Sequence, residues 1–355
     1  MINPAKILNI ADLRREARWR LPRPIFDYLD GGADDELSVR RNEAAFRDYA
    51  FLPEVLNDVS SLRTGTRLFG RDIRWPLMLS PTGLTRMFHP EAETAVARAA
   101  CRHGLPYALS TMGTTRIETL ASVSDGPKIF QIYIFKDRGL TGEFIARCKD
   151  AGYDGLILTV DTPVAGNRER DRINGLSLPP RLGLRSLFDF ACHPRWSLSA
   201  LTGSAFALVN VDHRVDALAA GPISLFDYIA GQFDPSVTWK DVEWLAGQWG
   251  GPLAIKGIMT ARDARRVVDC GASGIILSNH GGRQLDGAAA PVDQIGPVRD
   301  AIGPDVDLIC DGGVRRGSDI AKALALGATA CAIGRPYLYG LAAGLELVPA
   351  IALAQ

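Results

Sequence analysis

Three stretches of the chain repeat one pattern, in which an amphipathic segment ends at a glycine and a short uninterrupted apolar run follows. A glycine at that position is typical of a left-handed helix C-cap. An apolar run without alternation is typical of a strand that is buried on both faces. The pattern predicts helices that each precede a parallel strand, with Thr260 and Ser318 as two of the N-caps. The stretches are residues 141–160, 260–277 and 317–334, with Gly152, Gly271 and Gly327 at the helix ends.

Five further apolar runs bring the predicted strands to eight, at residues 77–81, 107–110, 128–134, 253–257 and 307–310. Helical segments such as 90–103 separate several of them. No GxGxxG fingerprint follows a strand, so an α/β fold of the (β/α)₈ TIM-barrel type is favoured, and a doubly wound open sheet is the alternative. A barrel needs about 250 residues. The 355 residues therefore allow one domain over 1–355, with an N-terminal helical segment and a long insertion after the fourth strand.

Polar residues follow these runs where the strands are predicted to end. They are Thr82, Ser110, Gln131, Tyr133, Thr159, Asp161, Lys256, Ser278, His280, Asp311 and Arg335, with glycines such as Gly313 and Gly334 among them. In barrel enzymes the active site lies at the C-terminal ends of the strands. The glycine- and arginine-rich segments 311–317 and 334–336 follow the last two strands, where barrels commonly bind phosphate.

Residues 278–286, SNHGGRQLD, place a candidate base, His280, three residues before a candidate anion clamp, Arg283. An imidazole, with an ordinary pKa of about 6.5, takes up and returns a proton near neutral pH. A planar guanidinium binds both oxygens of a carboxylate. The pair suits an acid whose neighbouring carbon loses a proton or a hydride. Taken singly, His280 also fits a buried structural histidine, Arg283 a surface arginine, Asp161 a helix cap and Lys256 a solvated lysine.

Composition narrows the class of protein. Lys+Arg and Asp+Glu are 40 each, so the zero net charge gives no reason to expect a nucleic-acid partner. The six cysteines form no C-x-x-C pair, so neither a disulfide framework nor a metal site is expected. The N-terminus has no apolar signal core, which predicts a cytoplasmic protein.

The insertion at 177–235 interrupts the strand–helix alternation. One interpretation is a lid or an oligomer contact. The other is a membrane-docking patch, which would make the protein peripheral to the inner face of a membrane. Its apolar residues would be Phe188, Phe190, Trp196 and Leu198, interleaved with Arg185 and Arg195.

The chain resembles the FMN-dependent 2-hydroxy acid oxidase and dehydrogenase family, which includes glycolate oxidase, flavin lactate dehydrogenases and (S)-mandelate dehydrogenase. The resemblance covers nearly the whole chain, and SNHGGRQLD is its most specific motif. CHPRWSL and FDPSVTWKDVEWL in the insertion look most like the mandelate and lactate branch. The other matching motifs, in order, are FDYLDGGADDE near residue 30, SPTG at 80–83, FQIYIFKDR at 130–138, LTVDTP at 158–163, IKG at 255–257 and DGGVRRGSD at 311–319.

The resemblance implies a role for each matched residue. His280 would be the base and Asp161 would hold its imidazole, while Arg283, Tyr28, Tyr133 and Arg168 would bind the substrate. Lys256 would sit against the flavin ring and stabilise its reduced anion. The remaining FMN contacts implied are Thr82, Gly83, Ser110, Gln131, Thr159 and Ser278 near the ring, and Asp311, Gly313, Arg315, Gly334 and Arg335 near the ribityl chain and phosphate.

Met112, Gly83 and Ala165 stand where glycolate oxidase carries bulkier residues, which favours a mandelate-like L-(S)-2-hydroxy acid, with L-lactate second. Oxygen, a quinone or a cytochrome would each serve as electron acceptor, and the resemblance implies a homotetramer. Two other functions stay open at this point. One is a catalytically inactive flavin-binding scaffold, and the other is a different FMN barrel enzyme such as an isomerase.

Overall fold

Eight parallel strands close into one barrel in the computed structural model, which describes residues 7–175, 183–202, 208–211 and 231–344. The strands are β3 Leu77–Leu79, β4 Tyr107–Ser110, β5 Lys128–Ile132, β6 Gly155–Thr159, β7 Leu253–Ile258, β8 Gly274–Ser278, β9 Asp307–Asp311 and β10 Ala330–Ile333. The barrel order is β10-β3-β4-β5-β6-β7-β8-β9, and every neighbouring pair is parallel. This confirms the (β/α)₈ barrel and its eight predicted strands over the open sheet.

Helices surround the barrel and also precede it. The N-terminal helices are α1 Ile10–Arg20, α2 Arg23–Asp30 and α3 Leu37–Ala44. The helices between or after the barrel strands are α4 Ala92–His103, α5 Ile117–Val123, α6 Arg138–Asp150, α7 Glu169–Ile173, α8 Leu184–Cys192, α9 Pro194–Thr202, α10 Trp239–Trp249, α11 Ala261–Asp269, α12 Ile295–Ile302, α13 Gly317–Ala325 and α14 Arg335–Ala342.

Local signals explain most helix ends. The three predicted cap glycines have φ of +68° at Gly152, +80° at Gly271 and +108° at Gly327, which confirms that each helix ends in a conformation that favours glycine. The Thr260 side chain accepts from the backbone N–H of Asp263, as an N-cap does. The N-cap prediction for Ser318 is wrong, because α13 begins one residue earlier, at Gly317, and Arg316 occupies the cap position.

The core has two layers. Side chains such as Met78, Ile129, Ile157 and Ile276 fill the barrel interior, and alternate residues on the same strands pack against the outer helices. Burial on both faces is what the uninterrupted apolar runs predict.

A short hairpin that the sequence analysis missed closes one end of the barrel. It pairs β1 Thr66–Leu68 with β2 Arg71–Ile73, and its two turn residues, Phe69 and Gly70, have φ of +50° and +75°. Leu68, Phe69 and Ile73 join the interior layer, and the Phe69 N–H donates to Asp307 at 3.0 Å, at the start of β9. Because the hairpin fills the N-terminal end, the described residues leave the barrel open at the carboxyl ends of the strands.

The helices α1, α2 and α14 pack together at that open end. Asp30, at the end of α2, is buried, pairs with Arg14 of α1 and accepts from the Tyr339 hydroxyl of α14 at 2.7 Å. These contacts fix α2 over the barrel mouth, which brings Tyr28 toward the strand ends.

The insertion is described in part, by α8, α9 and residues 208–211 and 231–235. Residues 176–182, 203–207 and 212–230 of the chain lie outside the described residues. Within the described ranges, every helix falls short of the length and apolar character that a membrane-crossing segment requires.

Candidate active site

A cavity of about 1330 Å³ lies at the carboxyl ends of the barrel strands. Small-ligand pockets usually measure about 300–1,000 Å³, so this cavity has room for a cofactor together with a substrate. Among the predicted site residues, Asp161 and Ser278 lie behind the cavity wall. The others line it, namely Tyr28, Thr82, Gly83, Ser110, Met112, Gln131, Tyr133, Thr159, Arg168, Lys256, His280, Arg283, Asp311, Gly313, Arg315, Gly334 and Arg335.

His280 and Asp161 form a hydrogen-bonded pair between the ends of β8 and β6. The His280 Nδ1 lies 2.8 Å from the Asp161 Oδ1. Burial raises the pKa of Asp161, but the charges of His280 and Lys256 outweigh that effect and the pKa lies below its usual value. An ionised carboxylate only accepts, so in the neutral imidazole Nδ1 carries the proton and Nε2 is left as a base.

His280 has a strained backbone. Its φ is +57°, in the left-handed region that residues other than glycine rarely occupy. The Ser278 hydroxyl accepts from the His280 N–H at 3.0 Å, and this contact holds the turn. Strain of this kind costs about 1–3 kcal/mol and concentrates at functional sites. Here it turns the imidazole from the strand end toward the cavity.

Arginines gather on one wall of the cavity around Tyr28. The guanidinium carbons of Arg283 and Arg168 lie 4.9 and 5.5 Å from the centre of the Tyr28 ring. Arg283 donates to the backbone carbonyls of Tyr28 and Gly31, at 2.7 and 3.1 Å. Burial, with the nearby cations of Arg168 and Arg335, lowers the pKa of Arg283 to about 10. A bound carboxylate would offset this repulsion, so the wall is suited to an anion.

Lys256 belongs to a buried ionic network at the cavity floor. Its Nζ lies 3.0 Å from the Asp311 Oδ2 and donates to the Ser278 hydroxyl at 2.8 Å. Asp311 also accepts from Ser278 at 2.9 Å and from Ser80 at 2.7 Å. Burial alone lowers the pKa of Lys256, but Asp311 and Asp161 outweigh it, so the ammonium remains charged. The network therefore holds one positive charge at the centre of the site.

We expect Lys256→Met to lower the free energy of unfolding by about 3–5 kcal/mol, because it leaves the Asp311 carboxylate buried without its partner. The pKa of Asp311 is lowered in the folded protein, chiefly by Lys256 acting against burial. The parent keeps this contribution until the pH falls to the lowered pKa of Asp311. In the variant, burial without the ammonium raises the pKa of Asp311, so the carboxyl takes up a proton as the pH falls toward 4 and the cost of the unpaired charge is relieved. Urea unfolding near neutral pH and near pH 4 should therefore show a deficit that shrinks with acidification. Adding Asp311→Asn should recover most of it, and a deficit that persists in the double variant would contradict the argument.

Buried polar atoms that lack a hydrogen-bond partner show whether the cavity can accommodate FMN. Within the described part of the chain, the buried Gln131 Nε2, Thr159 Oγ1 and Arg335 Nε have no hydrogen-bond partner. Ser110 donates to the Gln131 Oε1 at 3.0 Å, which fixes the Gln131 amide with its donor unpaired. A buried unpaired polar atom costs about 1–3 kcal/mol. Gln131 on β5 and Thr159 on β6 lie near Lys256 on β7. Their unpaired atoms therefore match the edge of the flavin ring, which carries carbonyl and N–H groups.

The opposite end of the same cavity suits a phosphate. Gly313 has φ of +83°, and a Cβ there would lie 1.9 Å from the Asn42 carbonyl oxygen, so the turn after β9 requires glycine. Gly334 caps α14 and Arg335 is its first residue, which places a helix N-terminus beside a guanidinium. Arg315 also lines this end and pairs with Glu43 at 2.8 Å. Together with the unpaired donors, these groups fit FMN.

Two aromatic side chains that the sequence analysis did not predict complete the substrate end. Phe233 packs edge-on against Tyr133 at 5.0 Å between ring centres, and Phe88 stacks on Tyr28 at 6.4 Å. Both line the cavity, as does Met112. A Cβ on Gly83 would lie 2.8 Å from the Met112 Cβ, so the small residue there makes room for the methionine. No motif marked Phe88, and Phe233 begins the matched FDPSVTWKDVEWL motif without having been given a role there; each reaches the site from a loop.

Metal ligands are not grouped in the described ranges, where no cluster of three or more His, Cys, Asp or Glu side chains is placed to hold an ion. The prediction that this site uses no metal stays a prediction.

Comparison with known proteins adds independent findings. A family model described as FMN-dependent dehydrogenase matches residues 17–348. A relative from Mycobacterium tuberculosis is 46% identical over 340 residues, covering 96% of this chain and 80% of that protein. An L-lactate dehydrogenase of Xanthomonas campestris pv. campestris (strain 8004) is 42% identical over 338 residues, covering 94% of this chain and 86% of its own. Among solved structures, the monotopic membrane protein (S)-mandelate dehydrogenase matches with a TM-score of 0.92 and 38% identity, covering 98% of this chain and 92% of that one.

Proposed function

The chain belongs to the FMN-dependent dehydrogenase family and oxidises a 2-hydroxy acid, and from that premise we propose that His280 is the base and that the substrate carries an aromatic side chain. The observation that carries the proposal is the convergence of the His280–Asp161 pair and the arginine wall on one cavity.

The arginine wall orients the acid. Arg283 is the main carboxylate ligand, with Arg168 beside it and the Tyr28 hydroxyl in support. Arg283 is itself held by the backbone carbonyls of Tyr28 and Gly31, so its fork is positioned before substrate arrives. Preorganised contacts of this kind lower the entropic cost of reaching the reactive geometry.

His280 handles the proton. Its Nε2 takes the proton that leaves the substrate, and the Asp161 carboxylate stabilises the imidazolium that forms. Tyr133 lies in the same wall, where burial and the charge of Asp161 raise its pKa, so its hydroxyl stays protonated and donates to the substrate. FMN, when bound, accepts the electrons that the substrate carbon gives up. Lys256 supplies a fixed positive charge where negative charge develops.

The substrate side chain has an aromatic wall. Phe88, Phe233 and Met112 line the cavity close to Tyr28 and Tyr133, and Gly83 and Ala165 leave space between them. A phenyl ring gains from edge-to-face contacts with such neighbours. A mandelate-like acid therefore fits better than L-lactate, which would leave part of the wall without contact.

The test is the visible spectrum of the purified holoprotein without oxygen, before and after addition of (S)-mandelate. We expect loss of the flavin band, and kcat/KM values in the order mandelate, L-lactate, glycolate, because each added apolar contact gives about 1–3 kcal/mol of preference. Bleaching by lactate but not by mandelate would contradict the substrate proposal and leave the base intact. Bleaching by none of the three would contradict both.

The described insertion helices expose apolar side chains. Leu184, Phe188, Leu198 and Leu201 are 86, 73, 62 and 84% exposed. Phe190 and Trp196, which the sequence analysis placed in the same patch, instead stack on each other at 5.2 Å and are half-buried. We propose that α8 and α9 contact a membrane surface, in line with the (S)-mandelate dehydrogenase described as monotopic.

The homotetramer, the single domain over 1–355 and the cytoplasmic location stay predictions.

Replacing Leu184 and Phe188 together by aspartate should lower the fraction of protein that sediments with anionic vesicles, by at least about tenfold in partition coefficient, because each buried apolar side chain contributes about 1.5–3 kcal/mol. The matched control replaces Leu52 and Leu56, which are 93 and 101% exposed, by aspartate and should bind as the parent does. Equal loss in both variants, or binding that neither pair affects, would argue against the α8–α9 surface.

A further inference from the structure

The turn that carries His280 has an uncommon backbone. His280, Gly281 and Gly282 have φ of +57°, +64° and +74°, so three consecutive residues occupy the left-handed region. Glycine adopts this conformation freely, whereas a histidine adopts it at a cost. Such a turn needs support from contacts outside it.

The side chain of Asn279 supports the turn from the residue before the base. Its Oδ1 accepts from the Gly282 N–H at 3.0 Å, a bond that spans His280 and Gly281. Its Nδ2 donates to the Ala289 carbonyl at 3.0 Å, beyond the end of the SNHGGRQLD motif. The orientation of this one amide therefore fixes both sides of the turn.

Asn42 of α3 completes the hydrogen bonding of Asn279. The Asn42 Nδ2 donates to the Asn279 Oδ1 at 2.8 Å, and the Asn42 Oδ1 accepts from the Asn279 Nδ2 at 2.7 Å. The two donors and two acceptor sites of the Asn279 amide are therefore all used. Asn42 and Asn279 are only 2 and 6% exposed, so the pair lies where solvent does not readily replace either partner.

Helix α3 also contacts the motif at two further points. A Cβ on Gly282 would lie 2.6 Å from the Val39 backbone nitrogen, so only glycine allows the turn to approach the helix this closely. Asp286 accepts from the N–H groups of Leu37 and Ser38 at 3.1 and 2.7 Å, as an N-cap does. The base turn is therefore built against α3 along the length of the motif.

The backbone of Asn42 contacts a different turn. Its carbonyl oxygen lies 1.9 Å from the position that a Cβ on Gly313 would take, at the phosphate end of the cavity. A substitution of the side chain leaves this carbonyl in place. Replacing the Asn42 side chain therefore alters the support of the His280 turn while it keeps the backbone contact at the cofactor site.

We propose that Asn42 is a positioning residue for His280, which it orients through Asn279 from outside the set of residues that line the cavity. The role rests on the proposed function, in which His280 is the base. Without Asn42, the Asn279 amide is free to rotate, and the turn relaxes from its left-handed conformation and displaces the imidazole. A displacement of about 1 Å at a reacting group slows a reaction by about 10²-fold.

The carboxylate ligand does not depend on the same support. Arg283 donates to the backbone carbonyls of Tyr28 and Gly31, which lie before α3. Loss of the Asn42 side chain should therefore affect the rate of the reaction far more than the affinity for the acid. A residue that only stabilises the fold would lower the melting temperature and leave the rate at saturating substrate unchanged.

The test compares Asn42→Ala with Arg40→Ala, a control at an exposed position of the same helix. We expect Asn42→Ala to keep its flavin, to bind the 2-hydroxy acid in the reduced enzyme within about threefold of the parent, and to reduce its flavin about 10–100-fold more slowly. Arg40→Ala should match the parent in all three. Hydrogen exchange of the backbone amides in residues 278–286, measured without substrate, should be faster in Asn42→Ala alone.

The same substitution in His280→Ala shows whether Asn42 acts through the base. Asn42→Ala should slow flavin reduction no further there, because a positioning residue has no effect once the group that it positions is gone. Equal slowing in the parent and in His280→Ala overturns the proposal, and so does a loss of rate that a loss of affinity matches. Parental rate in Asn42→Ala, with His280→Ala slow, overturns the role of Asn42 alone.

Failure of the proposed function gives a different result, since His280→Ala would then reduce its flavin at the parent rate. Thermal unfolding and flavin content monitor folding in every variant. If Asn42→Ala does not fold, Asn42→Leu takes its place in each comparison, because leucine fills a similar volume and likewise lacks the amide.

Discussion

His280→Ala is expected to keep bound FMN and to reduce it with hydroxy acid at least about 10²–10⁴-fold more slowly than the parent, the usual contribution of a general base. The cofactor contacts predicted from Gln131, Thr159 and Arg335 do not involve the imidazole, so the protein should purify with its flavin band. Removing the ring leaves Asp161 without the partner that lies 2.8 Å away. Stopped-flow absorbance without oxygen, with (S)-mandelate and then L-lactate, measures the rate of flavin reduction directly.

The control for this substitution is His103→Ala, at the end of α4, which does not line the cavity and should reduce its flavin at the parent rate. Substrate affinity separates the base from the binding groups. Because we propose that Arg283 and Tyr28 hold the carboxylate, we expect the Kd of a 2-hydroxy acid for His280→Ala to change far less than the rate. A variant that reduces its flavin at the full rate would refute the role of His280. One that purifies without flavin would show that the imidazole contributes to cofactor binding instead.

The barrel and much of its site follow from local patterns. Each strand is an apolar run bounded by a glycine or a polar cluster, and these signals stand within a few residues of one another. The barrel order then brings the strand ends together, so residues as distant as Gln131, Lys256 and Asp311 share one cavity. A local sequence pattern is sufficient to predict these site residues, because the barrel topology brings the carboxyl ends of all the strands together.

The features that the sequence did not reveal depend on contacts between distant segments. Phe233 reaches Tyr133 from the end of the insertion, and Phe69 plugs the barrel through a bond to Asp307. The Asn42 carbonyl lies where a Cβ on Gly313 would be. The sequence around Asn42 and the sequence around Gly313 give no sign of this contact. The strain at His280 was also invisible, because left-handed φ at a histidine has no local signature. In each case the determinant is packing rather than propensity.

Asp161→Asn is expected to lower the rate of flavin reduction by about 10²–10⁴-fold while it leaves the affinity for the hydroxy acid nearly unchanged. The equivalent change in a serine-protease triad slows catalysis for the same reason, since an amide beside the imidazole favours the wrong tautomer. In this protein the amide has two orientations. If its N–H faces Nδ1, the imidazole proton moves to Nε2 and the base is lost. If its oxygen faces Nδ1, the amide N–H takes the buried position of Oδ2, which lacks a partner within the described residues, and the charge that stabilises the imidazolium is gone.

The two orientations make Asp161→Asn more informative than removal of the side chain. Stopped-flow reduction gives the rate, and titration of a 2-hydroxy acid into the reduced, unreactive enzyme gives the affinity. Asp150→Asn, on α6 at an exposed position, is the matched control and should behave as the parent does. A fall in both rate and affinity would place Asp161 among the groups that shape the binding wall. A rate that persists would mean that the geometry of His280, held by Ser278 through its strained turn, suffices without the carboxylate.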